Sequence, residues 1–128
     1  MTLDRYAIRD YKYIGHAILN GDGTTTQALI TGAAHGSVVF LLLARSNAAA
    51  AHVVNVALNN GAVVPLASVS VPAGSGYAGV PPVDLLAGLP SILSQGIPIG
   101  PGDDLEVVLE VAVDGEEELL VGGVGGDA

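Results

Sequence analysis

The 128-residue sequence has no cysteine, no tryptophan and a single phenylalanine, Phe40. Without cysteine, neither a disulfide framework nor a thiolate metal site can be built, and the fold has to rest on its core. A chain of this length buries roughly two thirds of the surface its unfolded form exposes, which is enough for one unstapled domain. Positive charge is scarce and one-sided. Arg5, Arg9, Lys12 and Arg45 are the four basic residues, whereas ten acids follow position 45, and the net charge is −9. Such a body repels phosphate, which argues against nucleic-acid binding and against anionic membranes. Long apolar runs are also missing. The most apolar stretch, residues 38–44, falls far short of the roughly 20 residues that span a bilayer. The first residues lack the basic-then-apolar order of a secretory signal, so the expectation is a soluble protein.

What is present is small and β-prone. Half the residues are hydrophobic, mostly Val, Ala, Leu and Ile, and 18 Gly and seven Pro punctuate them at short intervals. Strands are expected at 24–31, 37–44, 52–58, 62–71, 105–113 and 116–121. The 37–44 run is continuous enough to predict a strand buried on both faces. Asn59-Asn60-Gly61 is a hairpin signal, and Asp114-Gly115 is read the same way. Residues 83–89 allow one short helical turn. Seven to eight short strands with frequent turns predict an all-β, antiparallel β-sandwich, jelly-roll or Ig-like. The Gly-rich residues 122–128 read as a loose tail, leaving 23–121 as the sandwich.

Residues 1–22 differ from the rest. They hold Tyr6, Tyr11 and Tyr13 and three of the four basic residues. One reading is an ordinary first strand with a polar lead-in. The other is an extended N-terminal arm lying on a neighbour, because Tyr and Arg combine large contact area with a polar end. On that second reading Arg5, Tyr6, Arg9, Tyr11, Lys12 and Tyr13 are the partner-binding residues. The arm would dock on an acidic surface, which a copy of the chain itself could supply. Salt would then weaken assembly, and reversing Arg5 and Arg9 would cost more than changing Asp127.

Several patterns suggest chemistry without supporting it. Gly74-Ser75-Gly76-Tyr77-Ala78-Gly79 matches G-x-G-x-x-G, but a dinucleotide site needs a helix opening at that loop, and Val80-Pro81-Pro82 follows. A flexible loop is expected there. His16, His35 and His52 show no metal-ligand spacing. Asp103, Asp104, Glu106 and Glu110 fit a turn and the polar face of an alternating strand, where a weak cation site is the alternative. The run 116–118 reads as a charged, exposed edge strand. There is no nucleophile elbow. No catalytic residue, cofactor or metal is therefore expected, and the chain is read as a non-enzyme.

The segments "TTTQALITGAA", "GSVVFLLLARSNAAAAHVVNVALNNG", "SVSVPAGSG" and "IPIGPGDDLEVVLEVA" resemble those of small β-sandwich proteins carried in tailed-bacteriophage particles. The resemblance runs from residue 26 to about residue 121. It implies a virion structural role, as a capsid-decorating (cement) subunit or a head- or tail-associated protein. It also implies assembly in the host cytoplasm, homo-oligomers, and the major capsid protein or other virion subunits as partners. The rival reading is a receptor- or glycan-binding module. Against it, only Tyr77 falls on an expected loop of the body, and sugar sites stack on exposed aromatics.

Overall fold

The computed structural model describes residues 10–89 and 96–128. Nine strands run through them: β1 (Asp10–Leu19), β2 (Gln27–Thr31), β3 (Ser37–Ser46), β4 (His52–Asn59), β5 (Val63–Val71), β6 (Val83–Asp84), β7 (Ile97–Ile99), β8 (Asp104–Leu109) and β9 (Glu118–Asp127). A five-stranded sheet has the order β1-β9-β3-β6, with β7 also paired to β3, and a four-stranded sheet has the order β2-β8-β4-β5. All pairings are antiparallel. The protein is thus an all-β sandwich. Successive strands change sheet at nearly every connection, and only β4–β5 is a hairpin between direct neighbours. That interleaving is the jelly-roll order rather than the immunoglobulin one.

The core lies between the two inner faces. Ile18, Leu42 and Val121 of the larger sheet meet Val54, Val56, Leu105 and Leu109 of the smaller one. Leu85, Leu86 and Leu89, in the turns after β6, close one side. Leu85 is pinned there by its N–H donating to the carbonyl of Leu42 (2.9 Å). Each such side chain contributes about 1.5–3 kcal/mol on leaving water. These turns stand where the sequence allowed a helical turn.

Three sequence expectations are redrawn. First, residues 10–19 of the expected arm form β1, an ordinary first strand. It pairs with β9 along its whole length, from Asp10↔Asp127 to Leu19↔Glu118, and places Ile14 and Ile18 in the core. Second, the expected tail is the second half of β9, which runs between β1 and β3. Two of its glycines, Gly123 and Gly125, sit where the backbones crowd. A Cβ on Gly123 would run into the carbonyl oxygen of Leu41, and one on Gly125 would come within 2.6 Å of that of Val38. Both sites flank the register shift between Val39 and Leu41. The 116–118 run is therefore no edge strand, because β9 is central. Third, Asp114-Gly115 does not close a hairpin. β8 ends at Leu109 in one sheet and β9 begins at Glu118 in the other, so residues 110–117 bridge the layers. Val113 is buried on the way, with its carbonyl accepting from Asn20 Nδ2 (2.8 Å).

Candidate protein-interaction surface

The two outer faces of the sandwich differ in chemistry. On the four-stranded sheet, Asn55 contacts Ser68 and Glu110, and Asn59 Nδ2 donates to Glu106 (3.2 Å). That face carries a network of amides, hydroxyls and carboxylates among scattered valines, of which Val63 is exposed. Glu106 is buried within it rather than solvated, because the Asn59 amide replaces water at its carboxylate.

The five-stranded sheet is the opposite. Side chains alternate across a strand, and paired residues of antiparallel strands share a face. Ile14, Ile18, Leu42 and Val121 point inward, so their neighbours point out. The outer rows are Tyr13–Val124–Leu41, Gly15–Gly122–Leu43 and Ala17–Leu120–Arg45. Tyr11 extends the face at one end and Leu19 and Glu118 at the other. Tyr13 is 83% exposed, Tyr11 68% and Leu41 39%. The 37–44 run is thus buried on both faces only at its start. Beyond the bulge, Leu41 and Leu43 stand on an uncovered face, a correction to the sequence reading. A contiguous apolar patch of this kind is a candidate interaction site.

A groove of about 540 Å³ crosses this face. Its floor is Gly15 and Gly122, and its walls include Ala17, Leu43, Leu120 and Pro82, with Arg45 at one end. Neither glycine is packed tightly. A Cβ on Gly15 would meet nothing within 4 Å, and one on Gly122 would stand 3.6 Å from the Ile14 carbonyl. The groove exists because side chains are missing there, and the fold does not require them to be missing.

Arg45 is held over the ring of Tyr77, 4.2 Å from its centroid. The G-x-G-x-x-G loop makes this possible. Gly76 takes φ +83°, and a Cβ there would lie 2.8 Å from Arg45 Cβ, so only glycine lets the loop lie against that side chain. The loop is a tied set of turns rather than a flexible excursion: Ser75 N–H donates to Pro72, Tyr77 N–H to Gly74 and Gly76 N–H to Val80. No helix opens from it, so it offers no phosphate cradle. With its ring covered by the guanidinium, Tyr77 is a poor platform for a sugar.

Of the six residues expected to bind partners, Tyr11 and Tyr13 lie on the apolar face. Lys12 alternates to the other side and pairs with Asp127 (3.0 Å), which also accepts from Ser37 Oγ (2.6 Å). These contacts, the Ser37 hydroxyl first and Lys12 second, hold the Asp127 carboxyl below its ordinary range. Asp127 is therefore a structural residue and not the neutral tail control that the sequence suggested. Arg5, Tyr6 and Arg9 lie outside the described residues. The sequence pointed to the tyrosines but not to Leu41, Leu43, Leu120 and Val124, which are indistinguishable from core residues until the faces are known.

Several of the other polar candidates are occupied. His16 Nε2 contacts Gln27 Oε1 (2.9 Å), and His52 Nδ1 donates to the Val111 carbonyl (3.0 Å). Thr31 Oγ1 donates to Asp104 (2.5 Å). Glu117 accepts the N–H groups of Ala49 and Asp114, which lower its pKa, with a smaller contribution from nearby His52. Among the described residues no group of three or more His, Cys, Asp or Glu side chains is placed to hold a metal ion. Compared with known protein families, with curated proteins and with solved structures, the chain finds no match.

Proposed function

We propose that this protein is a non-enzymatic structural subunit that works by packing the outer face of its five-stranded sheet against other protein subunits. The observation that carries the reading is the contrast between the faces. One carries a network of amides, hydroxyls and carboxylates among scattered valines. The other exposes Tyr11, Tyr13 and Leu41 beside a glycine-floored groove with Leu43 in its wall. A jelly roll alone does not choose between roles, since capsid and lectin domains both use it. The face chemistry favours protein over sugar, because the groove beside the exposed tyrosines is lined mostly by Gly, Ala, Leu, Val and Pro, with few side chains able to hydrogen-bond hydroxyls.

The assembly we propose is the particle of a tailed phage, which the sequence resemblance supports, with decoration or stabilisation of the capsid as the specific role. In this proposal Arg5, Tyr6 and Arg9 make a second contact, a basic segment docking on an acidic surface of a neighbouring subunit. The test is co-sedimentation. Particles purified on a density gradient from the source culture, probed with an antibody to this protein, should carry it at a fixed copy number. Its absence from intact particles would overturn the virion role. Removing residues 1–9 should weaken attachment, most clearly at low salt, where the charge contact is least screened. A longer deletion to residue 22 would take β1 and its core residues with it, so loss of attachment there would report unfolding.

A further inference from the structure

We infer that the occupant of this face is a second copy of the same chain, joined across a two-fold axis with Tyr13 of each copy seated in the groove of the other. The inference rests on reading the outer face as a protein-packing surface, and names its partner.

Three observations support a second copy. The first is charge. Two chains of net charge −9 repel, and the contact that minimises that repulsion is the one whose apposed surfaces carry fewest acids. In the three-strand patch of β1, β9 and β3, the outer rows hold only Glu118 and Arg45, both at one end, and Asp84 of β6 flanks the patch beside Leu43. The opposite face would bring Glu106 and Glu110 of both copies together.

The second is shape. A two-fold interface is isologous, so each copy must carry both a projection and its receptor. Tyr13 is the most exposed large apolar residue described on the molecule. It stands one inter-row step along β1 from Gly15, where the groove floor begins. An axis running across the strands at Gly15 reverses strand direction. It lays the Tyr13 row of each copy over the Ala17–Leu120 row of the other, at the groove. There the ring adjoins the open Gly15–Gly122 row, with its hydroxyl directed toward the Arg45 end of the groove.

The third is area. Three strands about 4.8 Å apart and about nine residues long, at 3.4 Å each, give a projected patch of about 14 by 30 Å. With side-chain relief the two copies together bury about 1,200 Å², the lower end of specific interfaces. A dimer that forms reversibly with concentration is the expected result.

The test is sedimentation equilibrium of the full chain across about 1–500 µM, a range bracketing micromolar affinity. The variants are Tyr13→Ala, Gly15→Phe and, as a control on an exposed apolar residue elsewhere, Val111→Ser. The wild-type and control masses should rise from monomer to dimer together. Tyr13→Ala removes the projection and Gly15→Phe fills its receptor. Each should raise the dissociation constant by at least about tenfold, as loss of an interface anchor does. A Cβ at Gly15 meets nothing within 4 Å, so the thermal midpoint of Gly15→Phe should be no lower than wild type, which separates a blocked groove from a misfolded chain. Sodium chloride at high concentration should leave the dimer intact or tighten it. A wild-type monomer throughout the range, or a dimer indifferent to Gly15→Phe, would overturn the inference. Either result leaves particle association to be decided by its own experiment, and a dimer absent from particles would sink the virion role alone.

Discussion

Gly122 and Gly123 are adjacent in β9, and adding one methyl group to each should have opposite consequences. Both are glycines in the middle of a strand, so replacement by alanine restricts the unfolded chain and stabilises by about 0.4–1 kcal/mol if the native backbone accepts the Cβ. At Gly122 it does. The methyl points outward into the groove, 3.6 Å from the Ile14 carbonyl oxygen, an ordinary contact. At Gly123 it does not. The methyl would overlap the Leu41 carbonyl oxygen and come within 3.3 Å of Leu42 Cδ1. A backbone carbonyl cannot rotate away as a side chain can, so β9 would have to move off β3 at the register shift, loosening the flanking ladder bonds. Overpacking of this kind costs about 1–3 kcal/mol. For a domain of this size each kcal/mol corresponds to about 4 °C in thermal midpoint. Gly122→Ala should therefore raise the midpoint by about 2–4 °C and Gly123→Ala should lower it by about 4–12 °C. The assay is thermal unfolding followed by circular dichroism under conditions where the chain is monomeric. Shifts of the same sign and size would refute both the register of β9 on β3 and the assignment of its two faces.

Other perturbations test the core, the loops and the ion pair. Leu42→Ala empties a fully buried position under the larger sheet and should cost about 2–5 kcal/mol in urea unfolding. Gly32→Ala should destabilise comparably, because its Cβ would collide with the Gly100 carbonyl where the two loops exchange hydrogen bonds through Gly102 and Asp103; a normal urea midpoint would show that those loops separate freely. Because the Asp127 pKa is lowered in the folded state, its contribution is present above its unfolded value near pH 3.9 and is lost as pH falls through the lower folded value. Asp127→Asn should accordingly flatten the acid limb of a stability–pH curve, and an unchanged limb would mean that the Ser37 and Lys12 contacts contribute nothing. Tyr77→Ala should free Arg45 and cost roughly 0.5–1 kcal/mol, measured by the same unfolding curves.

The sequence by itself determined the class of fold and much of its punctuation. Short runs of Val, Leu and Ile between Gly and Pro turns cannot build helices with an apolar stripe, and they specified an antiparallel sandwich. The Asn59-Asn60-Gly61 hairpin between β4 and β5 was legible because its turn chemistry is local. The tyrosines at 11 and 13 stood out as contact candidates because Tyr combines large contact area with a polar end, and the structure leaves both exposed. Tertiary structure decided the rest, wherever a residue's role depends on distant partners. The tail "VGGVGGD" has poor strand propensity and becomes a strand because β1 and β3 supply a ladder on each side, at a spacing too close for side chains at Gly123 and Gly125. Lys12 looks like Arg5 and Arg9 in sequence, yet strand alternation turns it toward Asp127. Leu41 and Leu42 are chemically identical neighbours. One is in the core and the other on the proposed interface, because successive side chains on a strand point to opposite faces and only the second sheet defines which face is inside.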